Sequence, residues 1–130
     1  MMIEKTSGLY RIEVPLPGNP LKYTNSYLIV GGKESLLIDT GMNREECYSA
    51  LFSALRELKI RPDTMSIFVT HLHADHIGLA GELGEKNVYL SKTESKIVYR
   101  MFDDPSAYWD IVLENYIANG FPEEEAKKNA

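Results

Sequence analysis

Hydrophobic and polar positions first alternate along this chain, then fall into short runs, then repeat at helical spacing. Tyr10, Ile12 and Val14 alternate with polar neighbours, the period of a half-exposed strand over 8–15. Pro15, Pro17, Gly18 and Pro20 close it in a loop. Tyr27-Leu28-Ile29-Val30 and Leu36-Leu37-Ile38 are unbroken apolar runs. They predict strands over 25–31 and 35–39, paired as a hairpin across Gly31-Gly32-Lys33 and buried on both faces. Cys47, Leu51, Ala54, Leu55 and Leu58 then share one face of a helix over 43–58. Asn43 serves as its N-cap, Glu46 completes a capping box, and Lys59, Arg61 and Pro62 mark its exit. Cys47 on that face reads as an inert buried thiol rather than a nucleophile.

Met65 to Val69 predicts a strand over 65–70, and Asn87 to Leu90 a short one over 87–90. Between them Ile77, Leu79, Ala80 and Leu83 predict a helix over 76–83, ended by Gly84. From residue 91 the texture is helical. Ser91 and Glu94 open a helix over 92–102, with Ile97, Val98, Met101 and Phe102 on its apolar side. Asp104 caps a helix over 105–119 with Pro105 at its first position, and Gly120 stops it. A last helix over 122–129 has acids in its first turn and Lys127-Lys128 near its end. Tyr108, Trp109 and Tyr116 form an aromatic stripe. It packs on the sheet or on a partner chain, or, as the less favoured alternative, walls a substrate pocket. The fold class is α/β in one domain, with a strand-rich core over 1–90 and a helical segment over 91–130.

The chemistry sits where the 65–70 strand ends, in Thr70-His71-Leu72-His73-Ala74-Asp75-His76-Ile77-Gly78. These are all three histidines of the chain. Imidazole nitrogens and a carboxylate oxygen are ligands for zinc, and iron and manganese accept them too. On extended backbone His71 and His73 point the same way. Ala74-Asp75 reads as a turn into a helix beginning near His76, which swings Asp75 and His76 toward a second position. The spacing therefore suits two adjacent metals, one on His71 and His73, the other on Asp75 and His76. Asp39 ends a buried strand, where a carboxylate needs partners. It fixes the histidine loop, caps the Gly41-Met42 amides as a turn residue, or does both.

The His-x-His-x-Asp-His segment resembles the signature of the metallo-β-lactamase superfamily. Leu36-Leu37-Ile38-Asp39-Thr40-Gly41 is similar to that family's strand ending in Asp-Thr-Gly, and Asn25 to Val30 to the strand before it. The resemblance covers about residues 7 to 90. It implies half of a four-layer αββα sandwich, with a mixed sheet and flanking helices. It also implies two zinc ions in the complete domain, with iron or manganese as possible substitutes, His71, His73, Asp75 and His76 as ligands, and Asp39 behind them. The implied chemistry is a metal-activated hydroxide attacking an ester, thioester or lactone carbonyl, with Asp75 orienting the nucleophile. An iron-dependent oxidoreductase of the same fold is the enzyme alternative. An inactive fragment or binding module is the other. Relatives draw further ligands from a C-terminal half, and after His76 no histidine remains. Asp103, Asp104 and Asp110 come too early to bridge two metals. The chain therefore resembles the N-terminal half of such a domain and is expected to be inactive alone.

Net charge is −5 and no basic cluster appears, which argues against nucleic acid and anionic membranes as partners. The expected partner is a small-molecule substrate. A half-sandwich leaves an apolar sheet face bare, so self-association through that face is expected as well. One cysteine precludes an intrachain disulfide. Met1-Met2-Ile3-Glu4-Lys5 lacks the pattern of a signal peptide, and no apolar run reaches membrane-span length. The expected location is cytoplasmic. No Gly-x-Ser-x-Gly elbow offers a competing triad.

Overall fold

A computed structural model describes residues 1–83 and 87–129. The chain forms two compact units, Met1–Ser91 and Lys92–Ala130. The first contains β1 (Met2–Thr6), β2 (Leu9–Pro15), β3 (Tyr23–Val30), β4 (Ser35–Ile38), α1 (Glu45–Glu57), β5 (Met65–Phe68), α2 (Ala74–Ile77), α3 (Ala80–Leu83) and β6 (Asn87–Tyr89). A single 3-10 turn, Pro62–Thr64, leads into β5. The second unit contains α4 (Lys92–Asp103), α5 (Pro105–Ala118) and α6 (Glu123–Asn129). The expected helix stop at Gly84 lies outside the described residues.

The six strands form one mixed sheet in sequence order. β1 to β4 are antiparallel neighbours, as short connections allow, while β4, β5 and β6 run parallel. A parallel pair needs a long crossover, and α1 supplies it between β4 and β5. Its apolar face meets one side of the sheet. Cys47, Leu51, Ala54 and Leu55 join Ile12, Val14, Leu28, Leu37, Met65, Ile67 and Val69 in a single buried cluster, which Leu79, Ala80 and Leu83 complete.

Four expectations are corrected. The first is β1, which sequence periodicity did not reveal. Met2–Thr6 is a largely exposed edge strand held by pairing with β2, not by burial of its side chains. The second is the start of α1. Its N-cap is Arg44, in extended conformation and without a side-chain cap bond. Asn43 is held instead in the turn beside Gly78, where its amide nitrogen packs close. The third is the helix after the histidines. It begins at Ala74, two residues earlier than expected, with His73 as its N-cap residue, and it is two short helices, not one.

The fourth is burial of the central strands on both faces. The register sets Tyr27 beside Ile38 and Ile29 beside Leu36, pointing away from α1. Tyr27 is 37% and Ile29 43% exposed. The row continues through Phe68 and Tyr89 on β5 and β6, both exposed. The sheet is thus covered by α1 on one side and carries an open apolar row on the other.

In the helical unit α5 packs against both α4 and α6. Asp104 caps α5, accepting from the Ala107 amide at 3.1 Å and the Ser106 hydroxyl at 2.8 Å. The Ala107 bond first, then Ser106, holds its carboxyl below the usual aspartate range. Tyr108 stacks edge-on against Trp109, and Tyr116 against Phe121.

Cys47 is fully buried, and its Sγ donates to the Pro15 carbonyl at 3.1 Å. Burial pushes the thiol pKa up, so the nucleophilic thiolate is scarce at neutral pH. The folded chain should react with a disulfide reagent at least tenfold more slowly than the chain in denaturing urea. Equal rates in the two states would show that the thiol is accessible.

Candidate metal centre

β4 and β5 end side by side, with Ile38 opposite Phe68. The residues that follow each strand therefore meet at one edge of the sheet. Asp39 bonds through its amide to the Phe68 carbonyl at 2.9 Å. Its φ of +58° is left-handed, a conformation aspartate tolerates better than most residues. The carboxylate is buried and meets the histidine loop. Oδ1 accepts from the Thr70 amide at 2.8 Å, and the Thr70 hydroxyl lies 3.0 Å from Oδ1 and 2.8 Å from Oδ2. His76 Nδ1 lies 2.8 Å from Oδ2. Of the two roles open from sequence, Asp39 takes contact with the loop.

Thr40 and Gly41 grip the same loop by its backbone. The Thr40 amide and hydroxyl both donate to the His76 carbonyl, at 2.8 and 2.9 Å. The Leu79 amide donates to Thr40 Oγ1 at 3.1 Å and to the Gly41 carbonyl at 3.2 Å. Such contact demands glycine at 78, while Gly41 is required by its own positive φ and by the core beside it. Gly41 has φ +114°, and a Cβ there would meet Val14 Cγ1 at 2.7 Å. A Cβ on Gly78 would meet the Ala74 carbonyl oxygen at 2.5 Å, the Asn43 nitrogen at 2.6 Å and the Gly41 oxygen at 2.7 Å. Three backbone atoms at that range cannot all give way.

The loop so held presents its side chains in two pairs. His71 Nε2 lies 3.1 Å from His73 Nδ1. His76 Nε2 lies 3.5 Å from Asp75 Oδ2. The His71 and His76 rings are in contact, with centroids 4.1 Å apart. His73 is exposed, while His71, Asp75 and His76 are half-buried. Two ligands about 2.0–2.2 Å from a tetrahedral zinc stand about 3.3–3.6 Å apart; the Asp75–His76 pair has that spacing, and the His71–His73 pair is closer, at hydrogen-bond distance. Among the described residues, no three such donors surround a common point. Thr70 and Thr40 were not singled out from sequence. The signal available was position alone: each is the polar residue at the mouth of a buried strand, next to a candidate site residue.

Comparison with known proteins shows the family. A family model of the metallo-beta-lactamase superfamily matches residues 19–128, and the chain belongs to that superfamily. An atrochrysone carboxyl ACP thioesterase of Aspergillus fumigatus is 33% identical over 100 residues, 74% of this chain and 30% of that protein. The lactamase-like protein nscB of Trichophyton equinum is 36% identical over 80 residues, 58% of this chain and 24% of its own. Among solved structures, a metallo-beta-lactamase family protein of Thermus thermophilus superposes with TM-score 0.77 at 34% identity. That match covers 96% of this chain and 42% of the other. A beta-lactamase domain protein from Burkholderia ambifaria, at TM-score 0.65 and 22% identity over 77% of this chain and 32% of its own, shares the fold. The chain thus spans 30% and 24% of the two curated relatives named and under half of that Thermus thermophilus chain. No helix among the described residues is long and apolar enough to cross a membrane.

The grip on the loop can be tested at two neighbouring glycines. Gly78→Ala should cost about 1–3 kcal/mol through forced backbone displacement. Gly81→Ala has nothing within 4 Å of its new Cβ and should be neutral or stabilising by up to about 1 kcal/mol. Urea midpoints at unchanged slope give both values. A Gly78→Ala variant as stable as its parent would mean that the two loops do not pack as described.

Proposed function

We propose that this chain carries the metal-binding half of a metal-dependent hydrolase acting on an ester, thioester or lactone carbonyl. The observation that carries the reading is the presence of two donor pairs, His71 with His73 and Asp75 with His76, on a loop clasped from behind by Asp39. The thioesterase name of a relative 33% identical favours an acyl substrate of small-molecule size. The donor set of nitrogens and one carboxylate fits zinc, with iron or manganese as substitutes. When bound, such ions acidify a water and offset the charge that develops on the attacked carbonyl oxygen. The chain's own part is to hold these four side chains still. Asp39 does this from below, and Asp75, as the anionic donor of its pair, orients the attacking water.

Each pair supplies two donors, whereas zinc sites use three or four protein ligands. The 130-residue chain should therefore purify with well under one metal per molecule and hydrolyse thioesters negligibly. A polypeptide continuing past Ala130 with the missing ligands should hold stoichiometric metal and turn over. Elemental analysis and thioester hydrolysis on both decide the matter. Tight stoichiometric metal in the short chain would overturn the ligand assignment. In a metal-loaded form, Asp39→Ala should weaken metal affinity about 10–100-fold. Unchanged affinity would remove Asp39 from the reading.

The open row of Tyr27, Ile38, Phe68 and Tyr89 supports a second proposal, pairing of two copies of this chain face to face. Apolar patches of more than a few hundred Å² are uncommon on stable monomers. Sedimentation at micromolar concentration should show dimers or larger species, and Ile29→Lys with Phe68→Lys should return them to monomer. A clean monomer of the unaltered chain would refute the pairing.

A further inference from the structure

Thr70 is the residue through which Asp39 reaches a second histidine. Its hydroxyl sits between two partners, Asp39 Oδ2 at 2.8 Å and His71 Nδ1 at 3.0 Å. A hydroxyl has one proton to give, and a carboxylate can only accept. If that proton went to His71, the hydroxyl oxygen would face both carboxylate oxygens with no proton between them. The Thr70 proton therefore goes to Asp39, and the hydroxyl accepts from a proton on His71 Nδ1. By the same rule His76 Nδ1 donates directly to Asp39 Oδ2.

We infer that Thr70 is a positioning residue: it passes to His71 the Nδ1–H form that Asp39 imposes directly on His76, and leaves His71 Nε2 bare and turned to His73. Which nitrogen of an imidazole carries the proton is set by the bond its other nitrogen makes. Histidine in water favours the opposite form, with the proton on Nε2, so this form has a visible signature. It also has a consequence for the third ring. His71 Nε2, being bare, accepts from His73 Nδ1 across their 3.1 Å contact. His73 alone must then move a proton before both nitrogens of that pair can face one cation.

The tautomers belong to the chain without metal; only their purpose rests on the metal reading of the site. Three imidazoles are the full complement of the chain, so long-range proton–nitrogen correlation spectra can resolve each ring. In the parent chain at about pH 8 His71 should show protonated Nδ1 and bare Nε2, and His76 should show protonated Nδ1. Thr70→Val keeps the shape and removes the hydroxyl. His71 should then move toward the Nε2–H form while His76 keeps Nδ1–H. Thr70→Ser should restore the parent pattern. A parent chain with His71 protonated on Nε2 would overturn the inference outright, whatever the variants do. So would a folded Thr70→Val chain whose His71 is unchanged. Adding Zn²⁺ to the polypeptide that continues past Ala130 with the missing ligands, where the metal reading expects stoichiometric binding, separates the two claims. The metal reading expects His73 to change form while His71 and His76 keep theirs. No change at any ring would sink the metal reading and leave the Thr70 assignment standing.

Discussion

A buried carboxylate is tolerable only when donors surround it, and Asp39 meets that condition through one loop. Its partners are the Thr70 amide, the Thr70 hydroxyl and His76 Nδ1. None of these is near Asp39 in sequence. They come within reach because β4 and β5 lie parallel and stop at the same level, so that Asp39 and Thr70 leave the sheet together. The dependence runs both ways. The carboxylate needs the loop to satisfy it, and the loop needs the carboxylate to hold His71 and His76 in one orientation. Thr40, Gly41 and Gly78 make the same connection through the backbone, where contact is too close for any side chain on Gly78.

This clasp explains why the Asp-Thr-Gly and His-x-His-x-Asp-His segments belong to one device. The first supplies a carboxylate, a hydroxyl and a bare backbone in succession. Each engages a different part of the second: ring nitrogen, carbonyl and helix start. The core beneath is built by α1 on one face of the sheet, and it seats both segments on a rigid edge. Chemistry on loops works when a scaffold fixes the loop ends, and here the fixing is done by two adjacent strand ends.

The sheet is sided. α1 covers the face bearing Ile12, Leu28, Leu37 and Ile67, while Tyr27, Ile29, Phe68 and Tyr89 stand exposed on the other. The superfamily relatives are two to three times longer than this chain. The unit Met1–Ser91 packs its core on one side of the sheet and leaves an apolar row exposed on the other.

Local sequence determined most of the elements and the identity of the donors. The alternation of Ile12 and Val14 and the apolar face of α1 each encode burial by spacing alone. Clustering of all three histidines behind Met65–Val69 marked the candidate site, although β5 ends at Phe68 and it is a bend, not strand periodicity, that brings His71 and His73 together. What the sequence left open were matters of pairing. Met2–Thr6 is a strand because β2 lies beside it, not because its own side chains ask for one. The exposure of Tyr27 and Ile29 follows from which face α1 chose, and an apolar run reads the same whether one face or two is covered. Arg44 rather than Asn43 is the N-cap of α1, and the backbone of Asn43 lies against Gly78, thirty-five residues on. The roles of Asp39 and Thr70 were decided by tertiary structure as well. A hydrogen bond across 31 residues has no signature in local spacing, because the register of two strands brings its ends together.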